Sequence, residues 1–429
     1  MMRTPAAGSV MKPLRACALA ASVWGASLPG ARAGVVEANG GTGPAIYFVA
    51  PDGDDASAGT AAVPLRSIGE AARRAVAGDR VIIRPGLYEE RIEVAHEGSP
   101  AKPITFEAET PGTAIIGGRD GGFQPMAWAG DHDAETSSGN RWITLRGLVF
   151  RGTGEAPAVR AASGWRIEDV RFEDLGFGIN IRGNDVVVSD SVFEDIDSAN
   201  AHAVVAAGGR NVRLSDLVIR RVNGQRLVQA VENSAVTKFL DTDGLLIERI
   251  VSEHNRGPGL WLDTNNRNFV IRNSLIRNNS GPTEGWQGPG IWIELNAASN
   301  GQIYGNMIAG NSSAGIEVME SSGIAIYGNT LLDNPACIAF RNLPRGANGG
   351  TILANIHVYD NLCAGWTSAA IATGIGEWEG FDPSAHGIVI DRGRYLAAGR
   401  PLFSWDGIEA ATPEDAALRL GFERNGRVD

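Results

Sequence analysis

The chain has 429 residues, 56 of them glycine, 7% aromatic residues and a formal net charge of −11. An acidic total argues against nucleic acid as a partner, because neutralising phosphates needs a basic face. It also disfavours a polyanionic substrate unless a local basic groove overrides the total; the three Lys against 35 Arg reflect a GC-rich genome more than function.

The first residues read as a processing segment. KPLR after Met11 supplies positive charge, ACALAASVWGASL is an apolar run, and ARA at 31–33 fits a small-x-small cleavage site. The run is too short to span a bilayer, and no later segment is long enough. The expectation is a signal peptide over 1–33 and one domain over 34–429, secreted or periplasmic, with no membrane span. Cys337 and Cys363 then remain. Export permits a disulfide between them, and two cysteines alone make no zinc site.

From residue 45 a strand (45–50) leads into a Gly/Asp/Ala loop. A short amphipathic helix follows from about Leu65 to Ala77, with Ser67 as N-cap. VIIRPGLY and RIEVA are strands. A helix at this place would cover the open end of a stack of strands. The expected divisions are a cap at about 44–90, repeating coils at about 90–375 and a closing segment at about 376–429. DGDD at 52–55 lacks the terminal glutamate of an EF-hand loop and reads as a turn.

Beyond residue 165 short strands alternate with Gly, Asn and Asp. IYGNMIAGN (303–311) and IYGNTLLDN (326–334) are nearly one segment repeated. Asn255, Asn279, Asn311 and Asn334 close similar segments and suit a ladder of stacked amides. Three short strands per about 22–25 residues is one coil of a right-handed parallel β-helix. The cysteines, about one coil apart, would stack on adjacent rungs.

These segments carry a resemblance. YFVAPDGDDASAGT and PLRSIGEAARRAVAGDRVIIRPGLYEERI are similar to the N-terminal cap of the pectate-lyase-like parallel β-helix superfamily, and FSWDGIEAATPEDAALRLG resembles its closing segment. The resemblance implies an all-β solenoid with a capping helix. Fold alone does not fix function.

Two matching stretches, GPGLWLDTNN (257–266) and GPGIWIELNA (288–297), suggest chemistry. Strand alternation turns Leu260, Leu262, Ile291 and Ile293 inward and Trp261, Asp263, Trp292 and Glu294 outward. GIEVM and CIAFR continue the outward columns with Glu317, Met319, Ala339 and Arg341. Rungs about 4.7–4.9 Å apart would stack Asp263 under Glu294, close to the about 5–5.5 Å separation of retaining glycosidases. The pair is similar to the strands of β-helical β-xylosidases, which implies Asp263 as nucleophile and Glu294 as acid/base. Trp261 and Trp292 would hold a sugar ring unless the protein's own loops, Trp286 among them, cover them. Glu317 and Arg341 would contact substrate.

Lys238, in ENSAVTKFLDTDG, reads as part of an insertion before the Asp263 coil. β-Helical polysaccharide lyases commonly use a Lys or Arg base beside Asp-bound calcium, which implies Lys238 with Asp241 and Asp243, and Ca2+ as cofactor. The DPHD-type motif of β-helical mannuronan epimerases is absent. Three readings stay open: a retaining glycoside hydrolase with no cofactor, a lyase or epimerase using Lys238 with Ca2+, and a non-catalytic glycan-binding β-helix. All three take carbohydrate as partner.

Overall fold

The computed structural model describes residues 43–118, 121–125, 141–225, 236–281, 288–343, 353–374, 377, 382–396 and 400–429. The expected signal peptide and Trp286 lie outside them. None of the described helices is long and apolar enough to cross a membrane.

Strands two to six residues long repeat because each coil alternates a short apolar-in, polar-out run with a corner. Three sheets of 13 strands result, parallel apart from the final pair of the second. One coil shows the order: Val251–Glu253 lies in the third sheet, Leu260–Leu262 in the second and Val270–Arg272 in the first. The corners take left-handed backbone, which Asp and Asn tolerate best among residues with a Cβ. Asp169, Asp190, Asp216, Asn273 and Asn278 all sit there at φ between 51° and 57°.

Inward side chains fill the coil as files. Phe150, Phe172 and Phe193 stack with ring centroids 5.1 and 4.5 Å apart. At one corner the Asn255 amide donates to Asn279 (2.9 Å), Asn279 to Asn311 (3.0 Å) and Asn311 to Asn334 (3.0 Å). A second buried file, Asn306–Asn329–Asn361, does the same at 3.0 Å per step. Each amide satisfies the next inside a core where an unpaired polar group is costly.

The helix is Ile68–Arg74, shorter than the spacing predicts, because Ala75 turns extended at ψ 134°. Ser67 caps it by accepting from the Glu70 N–H at 3.1 Å, and the Glu90 carboxylate accepts from Ile68 and Gly69 N–H at 2.8 and 2.9 Å. At the other end Phe403–Trp405 pairs antiparallel with Ile408–Ala410 through Asp406 and Gly407, both at positive φ, as tight hairpins require. Helix Pro413–Leu420 follows.

The cysteines do not stack as adjacent rungs. Cys363 lies in the third sheet, registered between Leu331 and Tyr395, while Cys337 lies in the second. They meet across the coil interior, both buried and both free thiols. A spacing of about one coil does not put the two on one sheet, because their strands, Ala336–Arg341 and Leu362–Ala364, belong to different sheets.

Candidate functional site

The outer face of the second sheet carries the outward columns. Trp261 registers with Trp292, Trp292 with Glu317 and Glu317 with Ala339. Glu294, Met319 and Arg341 form the neighbouring file, and Asp263 lies one residue beyond the paired Leu262 and Ile293. Lys238 is not on an insertion. It belongs to strand Thr237–Leu240 and registers with Trp261, because Thr237 and Phe239 point inward and leave Lys238 facing out. Further down, that file runs through Val205 and Asn180 to Arg160, with Arg182 just past the Asn180 strand.

Lys238 meets Asp263 at 3.0 Å between Nζ and Oδ2, and its ammonium lies 4.0 Å above the Trp261 ring centroid. Thr264 Oγ1 donates to the other Asp263 oxygen at 2.9 Å. Trp261 and Trp292 stack at 4.5 Å and 12° and pack on Met319 and Leu343, which leaves the indoles only 3% and 7% exposed. Their faces therefore cover each other, and no open platform for a sugar ring remains. The Trp261 Nε1–H donates to Glu294 Oε2 at 3.1 Å, and Glu294 is 5% exposed.

Glu317 faces a different environment. Burial pushes its carboxyl up to about 7; Arg341 and the Ser313 hydroxyl, 3.5 Å away, work against that rise, and Glu294 and Glu377 add to it. Arg341 is clamped by Glu377, with Nε 2.8 and 3.0 Å from its two oxygens, and Asn342 N–H adds a contact at 3.2 Å. Burial and the neighbouring Arg91 push the Arg160 guanidinium down, and burial does the same to Arg182.

The face thus joins Lys238, Asp263, Trp261, Trp292 and Glu294 in direct contact, and places Glu317 and Arg341 at its far end. Asp241 and Asp243 do not join Lys238. They sit at the corner after its strand, where Asn265 and Asn268 donate to them at 2.9 and 2.6 Å. Calcium needs six to eight oxygens, and no group of three or more acidic, His or Cys side chains among the described residues could hold a metal ion. The donor set does not fit the expected cation. Arg160, Arg182 and Glu377 were missed in the sequence. Extending the outward file downward from Lys238 would have found the first two; Glu377 carries no pattern.

Glu294 is buried with one oxygen on the Trp261 indole, and Asp263 is paired with Lys238. The retaining-glycosidase expectation finds no support in that arrangement. The comparisons with known proteins do not support it either.

The family model for the right-handed beta helix region matches residues 158–336, and that for chondroitinase B matches 65–239. The uncharacterized protein YwoF of Bacillus subtilis is 40% identical over 78 residues, 18% of this chain and 16% of its own length. Pectate lyase PEL9 of Emericella nidulans is 33% identical over 158 residues, 36% of this chain and 33% of its own. The chain therefore matches a third or less of these relatives' lengths. The structure of AlyGC, an alginate lyase of the PL6 family, superposes with a TM-score of 0.51 at 14% identity, covering 78% of this chain and 51% of that one, a likeness of fold. The chain is a right-handed parallel β-helix protein, its three parallel sheets agreeing with the match to the right-handed beta helix model.

Proposed function

We propose that the chain is an exported lyase or epimerase of uronate-containing polysaccharide, with Lys238 at its reacting centre. The observation that carries this reading is the placement of Lys238: on the outer face of the second sheet, 3.0 Å from Asp263 and in one file with Arg160. The match to the chondroitinase B model and the identity with a pectate lyase point to the same reaction class.

Both reactions begin by removing the proton beside the uronate carboxylate. Arg160 stands three rungs from Lys238 on the same file, with Arg182 near it, and can hold the carboxylate of another uronate further along the polymer. Lys238, whose Nζ rests in an ion pair with Asp263, accepts the C5 proton once it has passed its own to solvent, and Asp263 holds the amine in place. In a lyase the C5 electron pair becomes the C4–C5 double bond while the C4–O bond breaks and the leaving oxygen takes up a proton from solvent. In an epimerase the C–O bond stays intact and a solvent-derived proton is added to C5 from the opposite face.

The test is incubation with alginate, polygalacturonate, chondroitin sulfate and neutral xylan, following the ultraviolet absorbance of unsaturated ends and C5 deuterium uptake. One or both signals are expected on a uronate polymer. Lys238→Ala should lower the rate at least about 100-fold, the lower range for losing a general base. Saturated products from xylan would restore the hydrolase. Binding without any product would leave a glycan-binding protein.

A further inference from the structure

The outer face of the second sheet changes character at Lys238. Below it the outward positions are partly exposed. Arg160, Asn180 and Val205 lead up to Lys238 on one file, and Ala207 and Leu240 lead up to Asp263 on the next. This stretch covers three rungs, about 14–15 Å at the usual rung spacing. Above it both files are shut. Trp261 and Trp292 follow Lys238, Glu294 and Met319 follow Asp263, and all four are buried.

The change is a wall and not a floor. The indoles sit on adjacent rungs and stack face to face at 4.5 Å, so their planes stand across the line of the file. Met319 continues the cluster, Leu343 packs on it, and the Lys238 ammonium takes the near side of Trp261, 4.0 Å from the ring centroid. A close-packed apolar cluster holds no space for a sugar, and prising it open would return its indoles to water. A uronate with its C5 at Lys238 is therefore the last residue the face admits, and the rest of the polymer leaves it towards Arg160. For elimination this fixes the chain direction. The bond that breaks is C4–O, so the polymer hangs from O4 and C1 faces the indoles. The reacting residue is the reducing end.

We infer that the enzyme works from a chain end, on the reducing-terminal uronate of a polymer lying along the Arg160–Lys238 part of the face, with the Trp261–Trp292–Met319–Leu343 cluster as the stop. Lys238 takes the C5 proton, the C5 electron pair forms the C4–C5 double bond and the C4–O bond breaks. The shortened polymer leaves with that oxygen, protonated from solvent, as its new reducing end. Each turnover releases one unsaturated monouronate. For epimerisation the same stop confines the reaction to a terminal residue. The inference rests on the lyase or epimerase reading and adds where on a polymer that centre can act.

The experiment counts chain ends. Polygalacturonate, alginate and chondroitin sulfate are supplied at equal uronate mass, intact and partly hydrolysed. Chains cut to about a tenth of their length should raise the initial rate about tenfold, because a site that excludes internal residues meets only ends. Capping the reducing ends by reductive amination with an aromatic amine should abolish elimination. Mass spectrometry should find a single unsaturated uronate from the first turnovers, with viscosity almost unchanged. Where C5 exchange occurs without cleavage, fragmentation should place the deuterium in the terminal residue alone. The paired change Trp292→Ala and Leu343→Ala keeps Lys238, Asp263 and Trp261, and should open the stop and yield longer products; the measurements on the unaltered protein decide the matter if that variant does not fold. A rate independent of chain length, with an early fall in viscosity and a spread of oligomers, or deuterium distributed through chain interiors, overturns the inference. The lyase or epimerase reading fails on a different readout, the absence of any unsaturated product and of C5 exchange on every polymer, and the inference falls with it.

Discussion

At the scale of single residues, the buried amide files carry the sharpest consequences. Asn279 donates to Asn311 and accepts from Asn255, at 3.0 and 2.9 Å, and is itself only 1% exposed. Asn279→Ala removes the bonds its amide accepts from Asn255 and donates to Ser252 O and Asn311, all buried, and should cost about 2–4 kcal/mol in urea unfolding. Asn265 makes a similar link to Asp241, but at an exposed corner. Asn265→Ala should stay within about 0.5 kcal/mol, as surface changes do. Glu317 adds a pH dependence. Its carboxyl is raised from the ordinary 4.5 to about 7, so the folded protein holds a proton that the unfolded chain releases between those values. Stability from this group is present below about 4.5 and is lost as pH rises towards 7. Glu317→Gln should remove a slope on the order of 1–3 kcal/mol across that window, seen as a flatter plot of denaturation midpoint against pH. The outward direction of Trp261, Trp292, Glu294 and Glu317 could be read from strand alternation. That the two indoles would close on each other and on Met319 could not, because it depends on Leu343 folding back from a later coil.

At the scale of elements, the N-terminal helix is seven residues long and depends on its cap. Ser67→Ala should cost about 1 kcal/mol, and less if the Glu90 carboxylate alone suffices to hold the first N–H groups. Ser67 could be named from the sequence as a residue that caps by local bonding. Glu90 could not, since it reaches the helix from 21 and 22 residues away. The strand Thr237–Leu240 shows the same limit. TKFL is too short to announce itself, and only pairing with Val204–Ala207 below and Trp261–Leu262 above makes it a rung. Near the C-terminus Glu423 is 2% exposed and accepts from Tyr395 Oη at 2.6 Å and Gly393 N–H at 2.9 Å. Tyr395→Phe removes one of these donors from a buried carboxyl and should lower stability by about 1–3 kcal/mol, with loosening confined to the last coil in hydrogen exchange.

At the scale of the whole molecule, each coil packs mainly on its two neighbours, so stability accumulates rung by rung. An end rung left open offers unpaired N–H and C=O groups to another chain. Helix Ile68–Arg74 lies over the first coil. A variant lacking residues 44–77 should therefore self-associate, which light scattering after size exclusion would detect; a monomer of unchanged stability would show that the helix does not protect the edge.

The sequence by itself determined that this chain is a solenoid, since a repeat of short alternating strands, corner Asn and Asp, and files of identical residues is local information copied coil after coil. It also determined which side chains face out, because alternation has a period of two. What the tertiary structure alone decided is what those side chains meet. Lys238 pairs with Asp263 from the next coil, Glu294 accepts a hydrogen bond from the indole of the coil before it, and Arg341 is claimed by Glu377, 36 residues on. Such contacts depend on the exact stacking of coils and on excursions of unequal length between them, and no short stretch of sequence encodes either.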